Sequence, residues 1–149
     1  MEERDIHEYK TSPFDKSLME GVNEIKGCAK DLVERLEIPY RVLLKSAFEC
    51  SRDCFSVENY ELRESFACKN KCISVLESLK KDQEASFAQF DTALNLCFHS
   101  CTKQKRRTPY LSNEAVLCYR DCMERGKQSL IKMEAHFASL YSQYTDTPW

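Results

Sequence analysis

The chain has 149 residues, a formal charge of −2, 42% apolar and 31% charged residues, nine cysteines, three glycines and four prolines. That length favours one domain, no stretch reaches the 18 or more apolar residues of a membrane-spanning helix, and a soluble chain is expected. Near-neutral charge provides no field to draw the protein onto nucleic acid, and glycine is too scarce for a loop whose bare backbone amides cradle phosphate, so neither nucleic acid nor a nucleotide cofactor is expected.

Met1 to Ser12 is polar, with Glu2, Glu3, Arg4, Asp5, Glu8 and Lys10, and is expected to be a disordered tail with neither a signal peptide's apolar centre nor the composition of a transit peptide. Ser12, Pro13 and Asp15 mark a helix start: a capping hydroxyl, a preset φ and an acid at the positive end of the dipole. An amphipathic helix follows to about Glu37, its seam formed by Leu18, Val22, Ile25, Ala29, Leu32 and Leu36 at alternating spacings of four and three. That seam needs an apolar partner; if the helix folds back, it covers the two hairpins and is expected to be a detachable lid over a partner-binding groove. Pro39 removes a helical N–H and disfavours helical geometry at Ile38, which predicts a break before a second helix from about Tyr40 to Val57.

Neither glycine nor proline occurs between Pro39 and Pro109, and Leu62, Phe66, Ile73, Leu76, Phe87, Phe90, Leu94, Cys97 and Cys101 keep a heptad-like register. One helix of about Asn59 to Gln104 is predicted. Lys69, Lys80 and Gln83 interrupt its seam, so looser packing and exposure are expected around Glu77 to Gln89. A basic loop with Lys103, Lys105, Arg106, Arg107 and Pro109 leads to a last helix, capped by Ser112, with its seam at Leu130, Met133, Phe137, Leu140 and Tyr144. The domain reading is a tail over 1–12, one helical domain over 13–145 with hairpins at 40–80 and 85–145, and a tail over 146–149.

Eight cysteines form four C-x3-C pairs: Cys50 and Cys54, Cys68 and Cys72, Cys97 and Cys101, Cys118 and Cys122. Positions i and i+4 share a helix face, so each pair offers two thiols one above the other. Antiparallel helices bring together residues whose numbers have a constant sum. Cys50 with Cys72 and Cys54 with Cys68 both give 122, while Cys97 with Cys122 and Cys101 with Cys118 both give 219. The crossed pairings require parallel helices that so short a connection cannot join, and bridging within a pair would strain the helix. The fold class is therefore all-α, with two disulfide-clamped antiparallel hairpins sharing one long central helix and an amphipathic helix in front. Each inner bridge closes a loop of about 15 to 18 residues, worth roughly 3 kcal/mol by loop-closure entropy. Zinc held by four thiolates is the competing reading, weakened because zinc modules favour C-x2-C knuckles on loops. Redox catalysis is weaker, because an attacking thiol is normally activated at a helix N-terminus and these pairs lie mid-helix.

The four C-x3-C pairs, with Phe48-Glu49-Cys50 at the first and Cys118-Tyr119-Arg120-Asp121-Cys122 at the last, resemble the eukaryotic family with sequence similarity 136, also called domain of unknown function 842, over about Arg41 to Met133. The hairpins are more distantly similar to those of the small Tim chaperones. The resemblance implies a helical, disulfide-bonded protein of the mitochondrial intermembrane space. That location agrees with the cysteines, since bridges need an oxidising compartment and twin-cysteine proteins enter this one without a cleaved presequence. Its oxidative import relay is then an expected partner, docking on an aromatic and a large apolar residue upstream of a cysteine. Phe90 and Leu94 stand so before Cys97, as do Leu94 and Phe98 before Cys101, although core packing explains the same residues.

Cys28, the ninth cysteine, is expected to be a buried small hydrophobe, with a redox-sensing or intermolecular thiol as the alternative. His99 lacks a second histidine at ligand spacing and is read as exposed. The basic loop is read as solvated rather than lipid-binding, and Tyr141, Tyr144 and Trp149 as packing against the first helix or docking a partner. The functional expectation is a non-enzymatic scaffold or chaperone-like protein-binding factor without cofactor or metal. A thiol–disulfide redox protein or sensor is the alternative.

Overall fold

A computed structural model of the chain describes residues 13–105 and 113–146, with side chains from Leu18 to Thr102 and from Glu114 to Tyr144. The proposed caps Ser12 and Ser112, the 1–12 tail, the Arg106 to Pro109 stretch and Trp149 lie outside the described residues. Among the described residues everything except 57–61 is helical: α1 spans Pro13–Ser56, α2 spans Leu62–Lys105 and α3 spans Asn113–Asp146. All three pairs of helices pack together, α1 antiparallel to α2 and α2 antiparallel to α3, so α1 and α3 run parallel. The structure is the expected all-α pair of disulfide-clamped hairpins sharing a long central helix.

Pro39 does not interrupt the helix. The sequence predicts two helices, and the structure has one, with Pro39 in its interior. Proline in that position costs on the order of 3 kcal/mol and deprives the Arg35 carbonyl of its usual donor. Leu32, Leu36, Leu43 and Ala47 on either side share one stripe and are each at most 6% exposed. Burying that stripe against both other helices offsets the local cost, at about 1.5 to 3 kcal/mol for each large apolar side chain. The amphipathic helix expected in front of the hairpins is thus the lower half of α1, and its seam is core, with Ile25 fully buried.

The connection between α1 and α2 is short. The Tyr60 N–H donates to the Val57 carbonyl at 3.3 Å, and the Ser65 N–H to the Glu61 carbonyl at 3.1 Å, which closes the first turn of α2 and moves its start from the expected Asn59 to Leu62. One apolar cluster then runs through all three helices from Ile25 to Tyr141, and a second surrounds the lower disulfides, where Leu18, Phe98 and Tyr119 pack on Cys101 and Cys122.

The middle of α2 is exposed over most of Glu77 to Gln89, as expected, but it keeps a packed stripe: within that range Leu79 is buried and Gln83, Ser86 and Phe87 are half-buried. Leu76 and Phe90 on either side are buried too, because α1 and α3 both face this stretch. Gln83, one of the expected gaps, donates from Nε2 to the Tyr141 hydroxyl of α3. Lys80 is exposed, as a charged residue between the apolar stripes must be.

Candidate functional site: two disulfide necks

Each C-x3-C pair places two sulfurs one helical turn apart, so two antiparallel helices in register close two rungs of a ladder. The structure joins Cys50 to Cys72, Cys54 to Cys68, Cys97 to Cys122 and Cys101 to Cys118, with Cα atoms 5.7 to 5.8 Å apart in all four. These separations lie in the ordinary disulfide range, so neither hairpin has to distort to close. Within each neck the rungs touch: the Sγ atoms of Cys54 and Cys72 are 3.6 Å apart, and those of Cys101 and Cys122 are 3.5 Å apart. These are van der Waals contacts between bonded sulfurs, because no thiol hydrogen remains to donate.

The same closeness puts Cys50, Cys54 and Cys72, and likewise Cys101, Cys118 and Cys122, within 4.8 Å of one another. Reduced and deprotonated, such clusters would have the donor type and spacing of a zinc site. As bridged here, each sulfur's charge-bearing lone pair is replaced by an S–S bond, which leaves a neutral donor poorly suited to zinc.

The two necks differ in their surroundings. At the lower neck α1 lies across the hairpin: Cys101 and Cys122 are buried, and the Tyr119 ring stacks obliquely on Phe98 with centroids 6.1 Å apart. The Thr102 hydroxyl donates to the Phe98 carbonyl at 2.9 Å and meets the Tyr119 hydroxyl at 3.0 Å, so the buried phenol has a polar partner beside the bridge. Gly21 of α1 lies against Met123 here, so that a Cβ on it would have no room beside the Met123 Sδ. At the upper neck no third helix crosses among the described residues. Its cysteines are no more exposed than those below, with Cys54 and Cys72 buried and Cys50 and Cys68 half-buried like Cys97 and Cys118, but Phe55 and Phe66 meet edge to face at 5.4 Å on an exposed flank, with Lys69 over the Phe66 ring.

Phe90 and Leu94 are in the core and Phe98 is half-buried, so in the folded protein none presents a free docking face upstream of Cys97 or Cys101. His99 is exposed. Cys28 is exposed as well, contrary to expectation. It lies one turn from Glu24 and Leu32, on the edge of a groove between α1 and α3 bordered by two ion pairs: Glu24 with Lys127 at 3.4 Å, and Arg35 gripping Glu134 through two hydrogen bonds of 3.0 and 3.1 Å. The thiol is left outside because Ile25, Leu32 and Leu36 take the inward positions. Sequence reasoning missed the Gln83–Tyr141 and Thr102–Tyr119 bonds, which join residues far apart in the chain.

No helix among the described residues is long and apolar enough to cross a membrane. Fold and necks together define a three-helix bundle held by two doubly bridged hairpins. No family model, curated protein or solved structure matches the chain.

Proposed function

We propose that the chain is a non-enzymatic, disulfide-bonded scaffold or chaperone-like protein-binding factor of the mitochondrial intermembrane space. The observation that carries the reading is the pair of double-rung necks, in which four bridges hold neighbouring helices in a single register. Bridges of this kind require an oxidising compartment. The resemblance of the twin C-x3-C pairs to the family with sequence similarity 136 and to the small Tim chaperones favours the intermembrane space among such compartments. The burial of Phe90 and Leu94 adds a sequence of events: an import relay reads them on the unfolded chain, and closing the Cys97–Cys122 and Cys101–Cys118 rungs then hides them and traps the protein.

Import into isolated mitochondria tests this. The protein is expected to resist protease until the outer membrane is ruptured, and Cys97→Ser and Cys101→Ser are expected to accumulate less than Cys28→Ser. Equal levels of the three variants, or protection that survives rupture of the outer membrane, would remove the import reading. Crosslinking mass spectrometry in intact mitochondria tests for protein partners.

The exposed Cys28 thiol favours a thiol–disulfide redox protein or sensor as the second reading. A redox titration separates the two, since structural bridges sit below about −300 mV and catalytic ones well above.

A further inference from the structure

The third helix stops short of the upper neck. The Arg35–Glu134 pair sets α1 and α3 side by side at an offset of 99 residues, which places Asp146 at the level of Ala47. The last nine residues of α1, about 13 Å of helix, run on beyond that point. Cys28 and Ser46 are eighteen residues apart, as are Arg35 and Asp53, and eighteen residues are five full helical turns. The face of α1 that borders α3 therefore continues upward through Ser46, Glu49, Cys50, Asp53 and Val57. These residues line an open groove of about 410 Å³ floored by the upper disulfides, with Tyr60 at its far end.

Shape and charge both describe what fits there. The groove prolongs the seat that α3 fills lower down, so its natural occupant is a helix laid along the hairpin. Val57 and Tyr60 offer exposed apolar surface. Glu49 and Asp53 stand one turn apart on the α1 wall, and among the described residues no lysine or arginine lines the groove. Arg52 approaches Asp53 at 3.7 Å, but both side chains are more than 70% exposed, so water screens the pair and the wall remains acidic. At the lower mouth the C-terminal end of α3 adds the negative end of its dipole, with no basic residue in the last turn.

We propose that this groove binds an amphipathic helix of another protein, apolar toward the disulfide floor and bearing lysine or arginine toward Glu49 and Asp53. The proposal deepens the protein-binding reading and rests on it by naming the surface and the partner's chemistry. Thr147, Pro148 and Trp149, which follow α3 in the sequence, offer no positive charge for that wall.

The test uses the full-length oxidised protein and a fluorescein-labelled helical peptide of about fourteen residues, leucine on one face and lysine on the other, beside a counterpart with glutamate for lysine. By anisotropy the lysine peptide is expected to bind at least about tenfold tighter than the glutamate peptide. Glu49→Lys with Asp53→Lys should weaken it about tenfold or more, whereas Glu77→Lys with Asp82→Lys, the same charge change on an exposed part of α2, should alter it less than about twofold. Ser46→Trp, which fills the groove without changing charge, should also weaken it about tenfold. Unchanged helicity and an unchanged count of bridged cysteines show that each variant is folded. Absence of binding, or equal loss from the two charge pairs, overturns the proposal. So does a tenfold gain on deleting residues 147–149, which would make that segment the occupant. A wild-type dimer in sedimentation that Glu49→Lys with Asp53→Lys dissolves would likewise overturn it, by making a second copy the occupant. If the peptide fails while crosslinks to partners persist in mitochondria, only the groove is wrong. If the crosslinks fail while the peptide binds, the wider reading is wrong.

Discussion

Gln83 in the middle of α2 donates a hydrogen bond to the phenolic oxygen of Tyr141 near the end of α3, joining two residues 58 apart in sequence. Burial disfavours the phenolate, so the Tyr141 pKa is raised; the Gln83 bond lowers it in part, and nearby Tyr40 raises it. The unfolded chain then ionises this tyrosine first, and its contribution to stability is lost as pH rises past about 10. Ultraviolet titration of the folded protein is expected to lose, in Tyr141→Phe, a tyrosine that ionises above the ordinary value of about 10. Tyr141→Phe should lower stability near neutral pH by about 1 kcal/mol and remove part of the alkaline loss, read by denaturant unfolding at several pH values.

The thiols should divide eight to one. The intact oxidised protein is expected to weigh eight hydrogens less than the reduced chain and to take up one alkyl group, on Cys28, under native and non-reducing conditions. Peptide mapping that linked Cys50 to Cys54, or found all nine thiols alkylated, would contradict the two-neck framework.

Pro39 lies inside a continuous helix and deprives the Arg35 carbonyl of its donor. Pro39→Ala is expected to stabilise the oxidised protein by about 1 to 3 kcal/mol in guanidinium unfolding, the lower figure applying if ring contacts beside Leu36 and Tyr141 are lost. No gain at all would mean that the helix has already relaxed around the ring.

Two glycines should respond in opposite ways to alanine. A Cβ on Gly27 would meet nothing within 4 Å, so Gly27→Ala should add about 0.5 to 1 kcal/mol through helix propensity alone. A Cβ on Gly126 would stand 3.2 Å from Leu94 Cδ1 and 3.6 Å from Ile25 Cδ1, inside the core shared by three helices. There overpacking cancels the propensity gain, and Gly126→Ala should be neutral or destabilising by about 1 kcal/mol. The same unfolding measurement reads both.

The helical class and the pairing of the cysteines were legible without coordinates. Both follow from local periodicity: four-residue spacing puts two cysteines on one face, and antiparallel register leaves one pairing at a constant sum. The lower half of α1 was legible as an amphipathic stripe for the same reason. The tertiary structure decided what depends on all three helices together. Pro39 is a helix breaker by every local criterion, yet the buried stripe from Leu32 to Ala47 is worth more than the bond it forfeits. Gln83 is a gap in a seam until Tyr141 arrives from a different helix, and Cys28 can be placed only once Ile25 and Leu32 have taken the inward positions. The groove above α3 exists because α1 and α2 are longer than the helix laid between them. Periodicity specifies which face of a helix is apolar; which neighbour covers it, and how far along, is set by the relative lengths and offsets of helices that meet only in the folded chain.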